Sequence, residues 1–290
     1  MTASLLFGLL VSGLLIGGLY ALAAIGLSLI MGVMRVVNVA HGALYMLGAF
    51  FVYTVTVQWG LPFPVAMVAA MVAVFIVGVV TERLIVRPVR HEEVNVLILT
   101  FAAAFVFEEV AKFVWNPRYK NIPPYIQGNL SVGALQVDQQ RLVAFLVAVV
   151  LIGVLFAGIR YTRMGKAIRM VAQDEEAALL LGIHVERLHM FTFGLGAALA
   201  AAAAALLGPL YLVYPAMGWN PLLRSFAIVI LGGMGSLEGT ILAGLLMGVI
   251  EVMTGYFISD RMTTVATFAV LVLIIFVRPT GLFGHPVEER

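Results

Sequence analysis

The chain has 290 residues, of which 62% are apolar and only 11% are charged. Soluble domains average about half apolar and about a quarter charged, and a mean hydropathy of +1.07 implies more apolar surface than one soluble core can bury. The composition therefore excludes an ordinary soluble protein, a disordered chain and a fibre, and it predicts a polytopic membrane protein. A net charge of +2 gives no indication of nucleic-acid binding, and the lack of cysteine excludes disulfides and thiolate chemistry.

Uncharged apolar stretches mark the spanning segments, since a spanning helix needs about 20 apolar residues. The first, within Met1–Met34, has no basic residue before it and is too long for a signal peptide, so it is expected to remain as a helix. Val36–Thr81 has room for two helices, split near Gln58–Pro62. The later segments are Val94–Trp115, Leu142–Ile159, Met190–Val213, Ser225–Phe257 and Met262–Val277. This pattern predicts an all-α transmembrane bundle of about eight spanning segments, forming a single domain over residues 1–290.

Glycines interrupt the long segment Ser225–Phe257. We expect a short helix to Leu231, a turn at Gly232–Ser236 and a second helix from Thr240, which together form a hinged hairpin. Irregular backbone at membrane depth is tolerated only where it is buried in protein or lines a water-filled cavity. Three glycines of the turn are therefore candidates for the translocation pathway, with a plain loop between two short helices as the alternative: Gly232, Gly233 and Gly235.

Lysine and arginine in the loops predict the orientation, because cytoplasmic loops carry an excess of these residues. The loops Arg83–Arg90 and Arg160–Arg187 are separated by an even number of crossings and should both be cytoplasmic, as should Arg35. The N-terminus and the loop Asn116–Gln140 should then be periplasmic, in a bacterial inner membrane. Three tryptophans are expected at the outer interface: Trp59, Trp115 and Trp219.

A polar block follows the first apolar segment and contains Asn38, His41 and Gly42. A polar side chain that faces lipid is costly, so Asn38 and His41 should face protein or water. Two roles remain open for them: capping the second helix, or lining a translocation pathway.

A second polar cluster lies on the fourth segment, where Lys112 is spaced to pair with both Glu108 and Glu109. An interfacial ion pair is the favoured interpretation and a proton relay is the alternative. Glu251 is a lone acid on the hinged segment, and the sequence assigns it no role.

The third polar cluster is the predicted cytoplasmic loop of residues 160–189. Acidic residues are followed by leucines and then by Gly182, which is the pattern of a helix that starts and stops within the loop. Such a short amphipathic helix needs a partner protein, the bilayer surface or its own membrane domain to cover its apolar face. The chain carries no phosphate-binding loop, metalloprotease motif or hydrolase motif, so it is not expected to be an enzyme or to hold a cofactor or metal.

Glu176-Ala177-Ala178-x-x-x-Gly182 resembles the coupling loop of importer permeases of the ATP-binding cassette class. Its context is similar to the LivH-type branched-chain amino acid permease family, and the similarity extends over nearly the full length. It is specific in three blocks: Gly26–Gly42, Thr162–Arg187 and Leu231–Thr240.

The resemblance implies a permease subunit that pairs with a second, related permease, receives cargo from a periplasmic binding protein and is driven by two cytoplasmic ATP-binding subunits. The residues that would contact an ATPase are Glu175, Glu176, Ala177, Ala178 and Gly182. The family's typical cargo is branched-chain amino acids, and relatives that carry urea or short amides keep those alternatives open. An ion-coupled secondary transporter is one rival class, because it would use intramembrane acids such as Glu108 and would need no coupling helix. A channel or structural membrane protein, which would need neither an ATPase nor a binding protein, is the other.

Overall fold

A computed structural model describes residues 3–132, 135–278 and 280–283. The chain forms helices joined by short connections, with a β-hairpin (β1, Asn129–Val132; β2, Leu135–Asp138) between the fourth and fifth helices. The helices are α1 (Ala3–Met34), α2 (His41–Tyr53), α3 (Phe63–Thr81), α4 (Glu93–Trp115), α5 (Gln139–Tyr161), α6 (Arg163–Gln173), α7 (Glu175–Leu180), α8 (Val185–Leu207), α9 (Trp219–Gly232), α10 (Leu237–Phe257) and α11 (Thr263–Val277).

Within the described residues, seven helices are long and apolar enough to cross a membrane: α1, α3, α4, α5, α8, α10 and α11. The predicted all-α polytopic bundle is thus confirmed. Helices α1 and α8 are almost wholly buried and form its centre, whereas α3, α4, α5 and α11 expose many apolar side chains. We call the end of the bundle that carries Arg35, the α3–α4 connection, α6 and α7 the basic end. The opposite end carries the β-hairpin and Trp59.

Small residues let the central helices approach closely. Gly17 of α1 lies against the backbone of Gly244 and Leu245 of α10, and Gly248 lies against Gly13 and Gly17. Both small-xxx-small pairs therefore pack on each other within this chain, as helix interfaces without bulky side chains commonly do. The contacts also show that α1 and α10 are antiparallel, so α10 begins at the basic end.

Helix α2 begins at about half the depth of the bundle. After α1 ends at Met34, the chain turns back without helical structure until His41. The His41 ring (Nε2) is hydrogen-bonded to the carbonyl oxygen of Ala23, at 3.0 Å. Ala23 lies eleven residues before the end of α1, or about 16 Å along the helix. The stretch expected to hold a full second helix therefore holds a returning segment and a 13-residue α-helix, which a π-helical stretch continues to Gln58.

Helix α9 begins at a similar depth and runs the other way. The Trp219 ring packs against Phe101 and Phe105 of α4, which lie about 12 to 18 Å from the start of that helix. The helix ends at Gly232, and Gly235 then lies against Gly32 near the basic end of α1. Trp219 is thus well inside the bundle, deeper than the interface position expected for it, because the chain descends from residue 213 before α9 begins.

The predicted break between two helices of the late segment is present. Residues 233–236 separate α9 from α10, and Gly233 and Gly235 have positive φ angles of 100° and 81°. Beyond α11 the chain returns to this turn, where the backbone N–H groups of Leu282 and Phe283 donate to the carbonyls of Leu231 and Gly232, at 2.8 and 3.0 Å. The end of α11 therefore lies at the basic end.

Candidate functional site

An ion pair lies inside the bundle, between Arg224 of α9 and Glu251 of α10, with 2.7 Å between Nη2 and Oε1. The Tyr20 hydroxyl of α1 donates to the same carboxylate oxygen at 3.0 Å, and the guanidinium lies over the Tyr20 ring, 5.1 Å from its centroid. Tyr20 is 14 residues, about 21 Å, from the basic end of α1. A charged side chain at such depth costs about 2.5–3.5 kcal/mol on insertion scales, so intramembrane charges commonly mark functional sites.

A cavity of about 480 Å³ lies beside this ion pair, between α1, α2, α9 and the connection from α8 to α9. Arg224 is part of its wall, whereas Glu251 lies behind Arg224 and is not. The exposed residues Tyr211 and Leu212 form the rim of the cavity. The next residue, Val213, forms a backbone β-bridge with Lys120 at the end opposite the basic end. A concave, largely apolar site with a few convergent polar groups is the usual form of a small-molecule site.

The two half-depth helices meet next to the cavity. Gly42, in the first turn of α2, lies backbone to backbone against Gly218, the residue that precedes α9. Asn38 and His41 are buried, with 0% and 2% exposure, as expected for polar residues that avoid lipid. Among the described residues, the Asn38 side-chain amide has no hydrogen-bond partner and α2 has no side-chain cap. The structure thus gives no support to the capping role considered for Asn38 and His41, and neither side chain lines the cavity.

The glycines of the turn between α9 and α10 lie away from the cavity. A methyl group on Gly232 would contact the backbone of Gly239, and Gly235 lies against Gly32. The structure therefore brings Gly232, Gly233 and Gly235 together in a tightly packed turn at the basic end, about the length of α9 away from Gly42. Their assignment to a pathway stays a prediction.

The predicted helix of the basic loop is present as α7. The Asp174 carboxylate accepts a hydrogen bond from the Ala177 N–H at 3.0 Å, which is a standard N-terminal cap. Ala178 is buried, whereas Ala177 and Glu176 are exposed. Leu180 and Leu181 are 90% and 69% exposed, so an apolar surface faces outward at this end.

Ionic contacts fix α7 to the α3–α4 connection. Arg90 forms a salt bridge with Glu175 at 3.5 Å and contacts the ring of His189 at 3.1 Å. Arg87 bridges Glu82 and Glu186, at 3.1 and 3.2 Å. Glu175 therefore belongs to the bundle side of α7, while Glu176, Ala177 and the leucines belong to its outward side.

Gly182 ends this helix with a φ of +78°, and a side chain there would meet open space. The N–H groups of Gly182 and Ile183 donate to the carbonyls of Leu179 and Ala178. This left-handed turn, which favours glycine, is the ending that the sequence pattern predicted.

The acidic cluster on α4 forms an ion pair. Lys112 contacts Glu109 at 2.7 Å and Glu108 at 3.1 Å, and the Trp219 indole donates to Glu108 at 3.3 Å. Lys112 and Glu109 are at least one-third exposed, which agrees with the favoured interpretation of an ion pair near the bundle surface. Neither residue lines the cavity beside Arg224.

Arg224 is the residue that sequence reasoning missed. In the sequence, Arg224 directly precedes the apolar segment Ser225–Phe257, and Glu251, 27 residues later, is assigned no role. A signal was present, since each charge lies next to or within a long apolar segment. Their pairing, however, depends on the turn at 233–236, which brings α9 and α10 side by side.

The structure is a helical membrane bundle with two half-depth helices, an internal cavity and an exposed short helix at one end, an architecture compatible with a membrane transport subunit. The chain belongs to the family described as branched-chain amino acid transport system, permease component, whose model matches residues 9–277. This confirms the function predicted from the sequence, a membrane-spanning permease subunit of an ATP-binding cassette importer, at the level of the family.

Individual relatives are similar to this chain in sequence along nearly its whole length. The high-affinity branched-chain amino acid transport system permease protein BraD of Pseudomonas aeruginosa is 34% identical, over 97% of this chain and 96% of that protein. The protein of the same description named LivH from Escherichia coli K12 is 31% identical, over 96% of each chain. Among solved structures, PsaBC from Streptococcus pneumoniae in complex with Fab matches at 14% identity with a TM-score of 0.46, over 94% of this chain and 92% of that chain.

Proposed function

We propose that this permease imports free amino acids, with branched-chain amino acids as the preferred cargo, across a bacterial inner membrane. A periplasmic binding protein delivers the cargo to the end opposite the basic end. The chain pairs with a second, related permease, and two cytoplasmic ATP-binding subunits dock at residues 160–189. ATP hydrolysis takes place in those subunits.

The observation that carries the coupling proposal is the exposed surface of α7. Leu180 is 90% exposed in a helix of six residues that the Arg90–Glu175 contact holds to the bundle. Exposed apolar side chains on a short helix favour an interaction with a partner surface. Because α7 is connected through Arg90 to the segment that joins α3 and α4, a movement of a docked partner would be transmitted into the spanning helices.

The names of the relatives support the cargo, since BraD and LivH are both described as branched-chain amino acid permeases. The apolar wall of the cavity beside Arg224 agrees with an aliphatic side chain. Urea and short amides lack a carboxylate to match Arg224, and urea also lacks an alkyl group to match the apolar wall.

The test is uptake by proteoliposomes that contain the purified permease with its partner subunits and binding protein. We expect uptake of radiolabelled leucine that requires both ATP and the binding protein. Excess isoleucine or valine should inhibit this uptake, and excess urea should not. Uptake that is driven by an ion gradient without ATP would instead indicate a secondary transporter. ATP-driven uptake of urea in place of leucine would keep the coupling and overturn the cargo.

A further inference from the structure

Arg224 belongs to the wall of the cavity, and Glu251 contacts it on the side away from the cavity. The Tyr20 hydroxyl donates to one carboxylate oxygen of Glu251, and the same oxygen contacts Nη2 of Arg224. Glu251 lies outside the wall, while Arg224 lies within it and keeps 28% of its side chain exposed. Part of the Arg224 side chain is therefore exposed at the cavity, and a guanidinium carries its donors in the planar arrangement that suits a carboxylate.

The start of α9 borders the same space. Asn220 and Pro221, in the first turn of this 14-residue helix, line the cavity next to Arg224. The Trp219 N–H donates to the Ala216 carbonyl and Pro221 has no N–H, so this helix contributes the partial positive charge of its N-terminus. The helix terminus and the guanidinium together favour an anionic group at this position.

The rest of the cavity wall is aromatic and apolar. Tyrosine rings surround the site, and aliphatic or thioether side chains fill the space between them. The rings are those of Tyr20, Tyr45, Tyr211 and Tyr214, and the apolar residues include Leu207, Leu210, Met217 and Ile228. Aromatic faces attract ammonium groups, whereas the apolar residues suit an aliphatic chain. Since Glu251 neutralises Arg224, the site as a whole favours a ligand without net charge.

We propose that this cavity is a binding site for a free zwitterionic amino acid, whose carboxylate binds Arg224 and whose ammonium group lies against the tyrosine rings. Glu251 and Tyr20 are positioning residues that hold the guanidinium at the wall. The inference rests on the proposed function and deepens it, because it names the site within the permease at which the cargo is held.

The absence of cysteine allows a direct test. Leu212 lies at the rim of the cavity and is 52% exposed, so a Leu212→Cys variant provides a site for a thiol reagent. The permease is assembled with its ATP-binding subunits in lipid nanodiscs without the binding protein, and the labelling rate is measured with increasing leucine. By mass action the rate should fall about tenfold once free leucine reaches about nine times its Kd. Leucinol, which lacks the carboxylate, should protect far less at the same concentration.

Variants then assign the effect to Arg224. Arg224→Gln should remove protection by leucine, and Arg224→Lys should weaken it, since lysine keeps the charge but not the planar donors. The double variant Arg224→Gln with Glu251→Gln leaves no charge unpaired, and it should fold and also lose protection. Tyr20→Phe removes the hydrogen bond to Glu251 without changing the charge of the site, and it should reduce the preference for leucine over leucinol. As a control, Glu109→Gln removes one exposed partner of an ion pair away from the cavity, leaves Glu108 with Lys112 and Trp219, and should leave protection unchanged.

Equal protection by leucine and leucinol, or full protection by leucine in the double variant, would overturn the proposed site. So would a lack of protection in a wild-type complex that imports leucine with ATP, and in that case the proposed function would stand. Protection that depends on Arg224, in a complex without ATP-driven leucine uptake, would support the site and contradict the proposed function.

Discussion

Gly42 and Gly218 lie backbone to backbone at the level where α2 and α9 begin. A methyl group on Gly42 would collide with the Gly218 carbonyl oxygen and would approach Cβ of Leu222 to 2.8 Å. The two half-depth helices can thus start side by side only because both residues are glycine, and this contact sets the position of the first turn of α9 and of the Arg224 that follows it.

Gly42→Ala should therefore destabilise the permease, by about 1–3 kcal/mol if the effect resembles overpacking of a protein core. The measurement is the midpoint of thermal unfolding in detergent. Gly153→Ala is the matched control, since Gly153 is also helical but has open space around it, and it should be neutral or slightly stabilising. An equal midpoint for the two variants would contradict the close packing of Gly42.

Gly182→Arg should abolish association with the ATP-binding subunits and uptake, while the bundle stays folded. Its φ of +78° makes any non-glycine residue strained, by roughly 1–2 kcal/mol, and a long cation would stand beside the exposed leucines. Gly60→Arg is a matched control, because Gly60 has a φ of +69° and open surroundings at the opposite end. Co-purification of the ATPase with the Gly182→Arg variant at wild-type yield would reject the coupling assignment of α7.

Asn38→Leu should leave the amount of permease in the membrane unchanged and reduce uptake per permease if Asn38 serves the pathway. The buried amide has no partner among the described residues, so leucine removes no hydrogen bond. Thr100→Val provides the contrast, because Thr100 Oγ1 accepts from the Val39 N–H at 3.2 Å and loss of a buried acceptor costs about 1–3 kcal/mol. That variant should lower the membrane level instead. Unchanged normalised uptake for Asn38→Leu would remove Asn38 from the pathway.

The orientation predicts how single cysteines label in whole cells. A Leu180→Cys variant, at the basic end, should be protected from an impermeant thiol reagent, and a Gln127→Cys variant should react. Both positions are exposed. Gly165 is unsuitable for such a variant, since a side chain there would collide with the Gly158 and Ile159 carbonyls. Labelling of the Leu180→Cys variant from outside would reverse the orientation and contradict docking of cytoplasmic subunits at α7.

Much of the fold could be predicted from the sequence because its signals are local. The lengths of the apolar runs predicted the long helices, and the order of Asp174, the leucines and Gly182 predicted α7 and its ending. Local signals do not predict the structure of the segment before α2, since Val36–Val39 is apolar enough to continue a helix. What keeps it irregular is tertiary: a hydrogen bond from Val39 to Thr100, and the contact of His41 with Ala23.

The candidate site was harder to predict for the same reason. The ion pair of Arg224 and Glu251 joins two helices through a turn of four residues, and Tyr20 comes from a helix some 200 residues earlier. Neither periodicity nor spacing specifies such a contact. The glycine pattern predicted that a turn would exist, but not which side chains it would bring together.

Helix α9 is held at its last turn by hydrogen bonds and carries Arg224 before its midpoint. The backbone of Leu282 and Phe283 is hydrogen-bonded to its last carbonyls, while Arg224 stands near its first turn. A helix of 14 residues is a rod of about 21 Å that changes little in length. Leu231 and Arg224 lie about 10 Å apart along this rod, so a tilt imposed at Leu231 is expected to change the position of Arg224 relative to Tyr20 of α1.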